Sequence, residues 1–181
     1  MTSPSTGIGS PALDFDLRGV DGKRHTLASS RGPNGLLVMF ICNHCPYVKA
    51  VRERHVRDCA ELAGQGIGSV AIMSNDPTEY PEDSFQNMVK IAAQFRYPFP
   101  YVLDESQDVA KTYGAVCTPD FFGYNSGLRL QYRGRLDASG RAAVSNARRE
   151  LFEAMAQIAR TGRGPTDQAP SIGCSIKWKR G

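Results

Sequence analysis

FICNHCPYV, residues 40–48, places Cys42 and Cys45 three positions apart with His44 between them, directly after an apolar run and directly before Pro46. The run LLVMFI (36–41) follows RGPNG and is unbroken, as expected of a strand buried on both faces. Beyond it, Val48, Val51, Val56, Cys59, Ala60 and Ala63 recur at helical spacing. Proline suits the first helical position and Gly64 suits the stop. The stretch therefore predicts a buried strand, a tight turn holding two thiols, and a helix.

The flanking sequence extends this pattern. Residues 13–27, LDFDLRGVDGKRHTL, alternate apolar and polar around Asp21-Gly22, which predicts an N-terminal hairpin. IGSVAIM (67–73) reads as a second central strand, and SNDPTEYPED after it as a loop leading to Phe85, Met88, Ala92 and Phe95 at helical spacing. YVLDES offers a short strand, SQDVAKTYG a short helix ending at Gly114, and FFGYNSGLRLQYRG two strands about a turn at Asn125 to Gly127. A last helix is expected from about Ser145 to Thr161, with Leu151, Met155 and Ile158 on one face and Gly162 as its stop. Strands alternating with helices and closing in a hairpin plus helix predict an α/β fold, a mixed central sheet flanked by helices. One domain over residues 1–162 and a solvated C-terminal tail, 163–181, complete the expected organisation.

Composition narrows the function classes. The 22 Lys and Arg against 18 Asp and Glu leave a net charge of +4, and Lys177, Lys179 and Arg180 supply three of those charges from the tail. No long basic stripe interleaved with aromatics occurs, so a nucleic-acid partner is not expected. The opening MTSPSTGIGSPALDF lacks the basic start and apolar stretch of a signal peptide, and no segment approaches the roughly 20 apolar residues of a membrane span. A cytoplasmic protein without membrane contact is the expectation. Five cysteines, odd in number and not spaced as a framework, do not read as structural staples.

A dithiol that cycles needs two sulfurs within bonding reach and one of them ionised near neutral pH. Cys-x-x-Cys at a helix start supplies both, because the unpaired N–H groups and positive dipole end favour a thiolate. Cys42, expected to be the more exposed, is assigned as nucleophile and Cys45 as resolving thiol; protonated His44 adds a stabilising charge for the thiolate. Stabilising the reduced form makes the disulfide the stronger oxidant. A zinc site would need two further ligands, yet His25, His55, Cys59, Cys117 and Cys174 are scattered singly, so no metal is expected. Cys59 falls about 20 Å along the helix from the pair and reads as a small core residue, and His55 as surface or half-buried. Cys117, one residue before Thr118-Pro119, is an extra thiol near the disulfide or, by strand alternation, a packed one, and Cys174, in a tail expected to be mobile, is either a third, resolving thiol or an exposed thiol with an incidental role.

The pattern resembles the thioredoxin superfamily and, within it, the peroxiredoxin-like AhpC/TSA, or redoxin, branch. ALDFDLRGVDGKRHTL, FICNHCPYV and GAVCTPDFF carry the resemblance, which spans roughly residues 8–160. It implies a thioredoxin-like sheet with an N-terminal hairpin extension, and a cis-proline at Pro119 packed against the sulfurs. Thr118 then pairs its backbone with substrate. The implied activity is thiol:disulfide exchange through Cys42 and Cys45 with no diffusible cofactor. The partners would be a disulfide-bearing protein, or a small thiol or peroxide, with an upstream protein or low-molecular-weight thiol as reductant. The same resemblance allows a homodimer. Two departures are informative: Ile41 stands where thioredoxins carry tryptophan, and Cys42 stands where peroxiredoxins carry a threonine or serine hydroxyl. A thiol peroxidase with Cys45 as peroxidatic cysteine, helped by Arg133 or Arg135, is the alternative enzyme. A copper carrier using the two thiolates, with His44 or a tail residue completing the site, is the alternative from another class.

Overall fold

The structure, a computed structural model, describes residues 7–181. The first six residues of the segment that reads as lacking a signal peptide lie outside it.

Two hydrogen-bonded ladders lie side by side. The first has the order β2-β1-β5-β4 and the second β3-β7-β8. Their strands are β1 (Asp16–Gly19), β2 (Arg24–Thr26), β3 (Gly35–Phe40), β4 (Ile67–Met73), β5 (Tyr101–Leu103), β7 (Asp120–Asn125) and β8 (Leu130–Gly134). β3 runs beside β4, where the N–H of Ile41 donates to Ile72 O at 3.1 Å. β4 and β5 pair in parallel, and β1 with β2 and β7 with β8 form antiparallel hairpins. The turns fall where the sequence places them: Asp21 accepts from the N–H of Lys23, and Asn125 Oδ1 accepts from the N–H groups of Gly127 and Arg129.

All six residues of β3 are buried, and their alternation divides the core. Leu36, Val38 and Phe40 point to one face with Val70, Ile72, Phe122 and Tyr124; Leu37, Met39 and Ile41 point to the other with α2 (Pro46–Ala63) and α5 (Glu150–Thr161). Period-two geometry over a strand covered on both faces requires this split. α3 (Phe85–Gln94) also joins the second face, through Met88. α4 (Asp108–Tyr113) joins the first face through Ala110 and Tyr113, while α1 (Leu27–Ser30) is a single turn closed by a Thr26–Ser29 capping box.

Three sequence expectations need correction. On α2 the buried face takes in Arg52, His55 and Asp58, whereas Ala60 and Ala63 are exposed. Partners from elsewhere meet these groups in part: Arg52 donates through Nη2 to Asn43 O, Asp58 accepts at Oδ1 from Arg149 and Arg57, and the His55 ring stacks on Phe99 at 4.8 Å, while Arg52 Nε and Asp58 Oδ2 have no hydrogen-bond partner among the described residues. α5 starts at Glu150 and not near Ser145, because Asn146 sits at φ 54° and Arg149 turns its guanidinium to Asp58 and Glu61 on α2. The tail is not a loose end. β9 (Cys174–Ser175) pairs antiparallel with β6 (Cys117–Thr118), and Ile176 is buried in the core. Beyond it, the N–H of Lys177 donates to Asn75 Oδ1 and that of Lys179 to Gln107 Oε1, both at 2.9 Å.

His55 generates a pH dependence. Burial, with Arg52 adding to it, pulls its pKa from 6.5 down to about 3. The unfolded chain binds a proton at this residue below pH 6.5 that the folded protein refuses until about pH 3, so its contribution is intact above pH 6.5 and is lost as pH falls. One proton corresponds to about 1.4 kcal/mol per pH unit. Urea unfolding of His55→Phe should therefore lose about 2 kcal/mol less than the parent between pH 6.5 and 5. Parallel pH profiles for the two proteins would show that the ring is not held neutral.

Candidate active site

The site lies where β3 ends and α2 begins. Cys45 is the N-cap of α2 and Pro46 its first residue, so the missing proline N–H falls where a helix has no internal acceptor to offer. Both thiols face Thr118. Cys42 Sγ lies 3.5 Å from Thr118 Oγ1, and Cys45 Sγ lies 3.4 Å from Thr118 O. The Thr118-Pro119 bond is cis. Cys42, Cys45, Thr118 and Pro119, more than 70 residues apart in the chain, are thus brought to one point.

A residue the sequence reading passed over organises the turn. Asp83, in the 3-10 turn Pro81–Asp83, is fully buried. Its Oδ1 accepts from the N–H groups of Asn43 (2.8 Å) and His44 (3.2 Å), and its Oδ2 meets His44 Nδ1 (2.5 Å) and the Asn75 amide (2.9 Å). Asn43 is tied down on every side: Tyr101 Oη donates to its Oδ1, its amide donates to Glu82 O, and Arg52 donates to its carbonyl. No local signal in SNDPTEYPED marks Asp83, since acidic residues beside proline are ordinary in loops.

The two thiols differ in their surroundings. Cys42 and Cys45 are both shielded from solvent, so Cys42 is not the exposed member of the pair. Its thiol is pushed well up, chiefly by the Cys45 sulfur to which it donates, then by burial and the Asp83 carboxylate. The Cys45 thiol is pulled well down by that same donation. The Cys174 thiol and the N–H groups of Val48 and Cys174 add further donors, and burial opposes them. His44 stacks on Tyr80 with ring centroids 5.0 Å apart and meets Asp83 through Nδ1, so its ring is turned to the carboxylate and not to a thiolate.

The remaining candidates are placed as follows. Cys174 lies opposite Thr118 in the β6–β9 register, half-buried against the cluster that contains Cys42 and Cys45. Cys117 pairs with Ser175 instead, its Sγ 3.8 Å from Pro119 O, and burial pushes its thiol up to about 12. Cys59 is core, its thiol likewise pushed up to about 12 by burial. Arg133 is held by Asp120 and Gly114 O, and Arg135 makes a two-point pair with Glu150; neither faces the thiols. Arg141, over the Tyr47 ring at 5.7 Å, and Lys177, over the Tyr80 ring at 5.3 Å, are the cations that act on Cys174. Cys42, His44 and Asp83 offer ligand atoms within 4.8 Å of one another, but the carboxylate lone pairs and His44 Nδ1 are already engaged in the turn.

A dithiol at a strand-to-helix junction, facing a Thr-Pro segment that leads into β7 of the mixed sheet, is an arrangement of the thioredoxin-like fold. A thioredoxin-family thiol:disulfide interchange protein from Chlorobium tepidum TLS shares that fold at TM-score 0.62 and 18% identity, over 84% of this chain and 97% of that one. Residues 8–138 match the AhpC/TSA family, and the chain belongs to it. An uncharacterized conserved protein from Geobacillus kaustophilus is similar over nearly the whole length, with 44% identity, TM-score 0.91, and 98% and 95% of the two chains covered. The thiol-disulfide oxidoreductase ResA of Geobacillus thermodenitrificans is 26% identical over 125 residues, 65% of this chain. The chain spans 63% of the length of that relative.

Replacing Asp83 tests the organising role. Asp83→Ala strands four donors, those of Asn43 and Asn75 buried and the two of half-buried His44, and should cost about 3 kcal/mol in urea unfolding, while exposed Glu82→Ala stays within about 0.5 kcal/mol. Equal effects of the two substitutions would remove Asp83 from the account.

Proposed function

We propose that the protein is a thiol:disulfide oxidoreductase whose working groups are Cys42 and Cys45. The observation that carries this reading is the convergence of both sulfurs on Thr118 beside the cis-Pro119, with Cys45 at the N-cap of α2. The name of the ResA relative points the same way. Cys45 carries the thiolate, because Cys42 and backbone N–H groups donate to it. Cys42 keeps its proton beside Asp83. When Cys45 is held in a mixed disulfide, the Cys42 sulfur loses its proton and attacks Cys45. The Cys42–Cys45 bond forms, the mixed disulfide breaks, and its electron pair leaves on the departing sulfur, which takes up a proton.

Thr118 gives this pathway its geometry. Its hydroxyl is within reach of the Cys42 sulfur and its carbonyl of the Cys45 sulfur, so one residue holds both ends of the incipient bond. Substrates of this reading are disulfide-bearing proteins or small disulfides, with a protein or low-molecular-weight thiol as reductant. The cytoplasm is the compartment proposed, since five cysteines, odd in number, are not spaced as a disulfide framework.

Peroxide reduction is the second reading, favoured by one observation: the thiol held down is Cys45, which precedes Pro46, with Cys42 in place to resolve a sulfenic acid on it. It predicts that Cys45→Ser abolishes peroxide consumption while Cys42→Ser retains a single turnover.

The dithiol reading predicts a reversible Cys42–Cys45 disulfide in glutathione buffers, at a potential between roughly −120 and −270 mV. Alkylation followed with pH should modify Cys45 before Cys42, and Cys42→Ala, which removes the donor, should move the Cys45 titration to higher pH. A pair that resists oxidation sinks the reading, and Cys42 reacting first at low pH sinks the assignment of roles.

A further inference from the structure

The two working sulfurs are covered. Cys42 and Cys45 are both fully buried, and residues 173–175 are part of what covers them. β9 is pressed close: a Cβ on Gly173 would stand 2.0 Å from Thr118 O and 2.6 Å from its carbonyl carbon, so only glycine lets the strand approach the Thr118-Pro119 segment. The residue after that glycine is Cys174, opposite Thr118 in the ladder. Its thiol and its backbone N–H both donate to the Cys45 sulfur. Of the three sulfur-bearing residues at this point, only Cys174 retains solvent-exposed surface. A partner in solution therefore meets Cys174 first.

We propose that Cys174 is a third redox thiol, the sulfur through which outside thiols and disulfides exchange with the buried pair by way of a Cys45–Cys174 disulfide. The inference rests on the dithiol reading above. In the oxidising direction the Cys174 thiolate attacks an outside disulfide RSSR; one RS⁻ leaves and takes a proton, and Cys174 is left in a mixed disulfide with the other half. The Cys45 thiolate attacks the Cys174 sulfur, the second RS⁻ leaves, and Cys45–Cys174 forms. Cys42 loses its proton and attacks Cys45, the Cys42–Cys45 bond forms, and Cys174 departs as a thiolate. Two thiols have become one disulfide and RSSR has become two RSH, so electrons and protons balance. The reverse sequence, with a small thiol as reductant, reduces the pair.

Charges around Cys174 suit this alternation. In the reduced protein its thiol is pushed up, first by burial and then by the neighbouring Cys45 sulfur, with Lys177 and Arg141 opposing. Once Cys45 is bonded to Cys42 it no longer carries negative charge, and the two cations act on Cys174 with less opposition. Cys174 thus gains nucleophilic character in the oxidised protein, the state in which the reducing direction requires it to attack Cys45.

Three variants in oxidised glutathione, with free thiols trapped and bonds located by mass spectrometry, test the proposal. Cys42→Ser should yield a Cys45–Cys174 disulfide, and Cys45→Ser should carry glutathione on Cys174. Cys174→Ser should still form Cys42–Cys45, but about tenfold more slowly, since access governs exchange rate. Glutathione on Cys42 in Cys45→Ser, or Cys174→Ser oxidising as fast as the parent, would overturn the relay and leave the dithiol reading standing. Failure of Cys174→Ser to form Cys42–Cys45 at equilibrium would overturn the dithiol reading and the relay together.

Discussion

The buried carboxylate of Asp83 is the constraint on which the site depends. An ion removed from water costs several kcal/mol unless donors surround it, and here Asn43, His44 and Asn75 together supply four. Three of the four come from the two residues between the cysteines, so the carboxylate fixes the turn itself. The same charge discourages ionisation of Cys42. One residue therefore sets both the shape of the turn and the inequality of its two thiols.

Much of the fold was legible in the sequence, because its strongest signals are local. The unbroken run before Cys42, the Asp21-Gly22 turn and the 3.6-residue spacing of Leu151, Met155 and Ile158 each report on neighbours a few positions away. What escaped reading depends on distant partners. β9 is two residues long, pairs with a two-residue strand more than 50 positions earlier, and needs Gly173 to come close. His55 and Asp58 look like surface residues until Phe99 and Arg149, from elsewhere in the chain, cover them.

The site was legible to a lesser degree. The spacing of Cys42 and Cys45 marks the place, and the family resemblance supplied Thr118 and Pro119, but the unequal acidity of the two thiols lies in Asp83, in the Cys42 donation and in the helix N-terminus acting on Cys45 in particular. A helix start favours whichever sulfur sits at its cap, and the boundary at Pro46 makes that Cys45. His44, the obvious charge in the motif, is turned to the carboxylate by a neighbour that sequence distance conceals.

Closure of the thiol site by residues 173–175 also orders events in time. Synthesis runs from the N-terminus, so Cys42 and Cys45 emerge well before the strand that covers them, by on the order of ten seconds at ordinary elongation rates. For that interval the nascent chain displays an uncapped thiol pair, and the protein reaches its guarded form only after the last helix has been made and β9 has found β6.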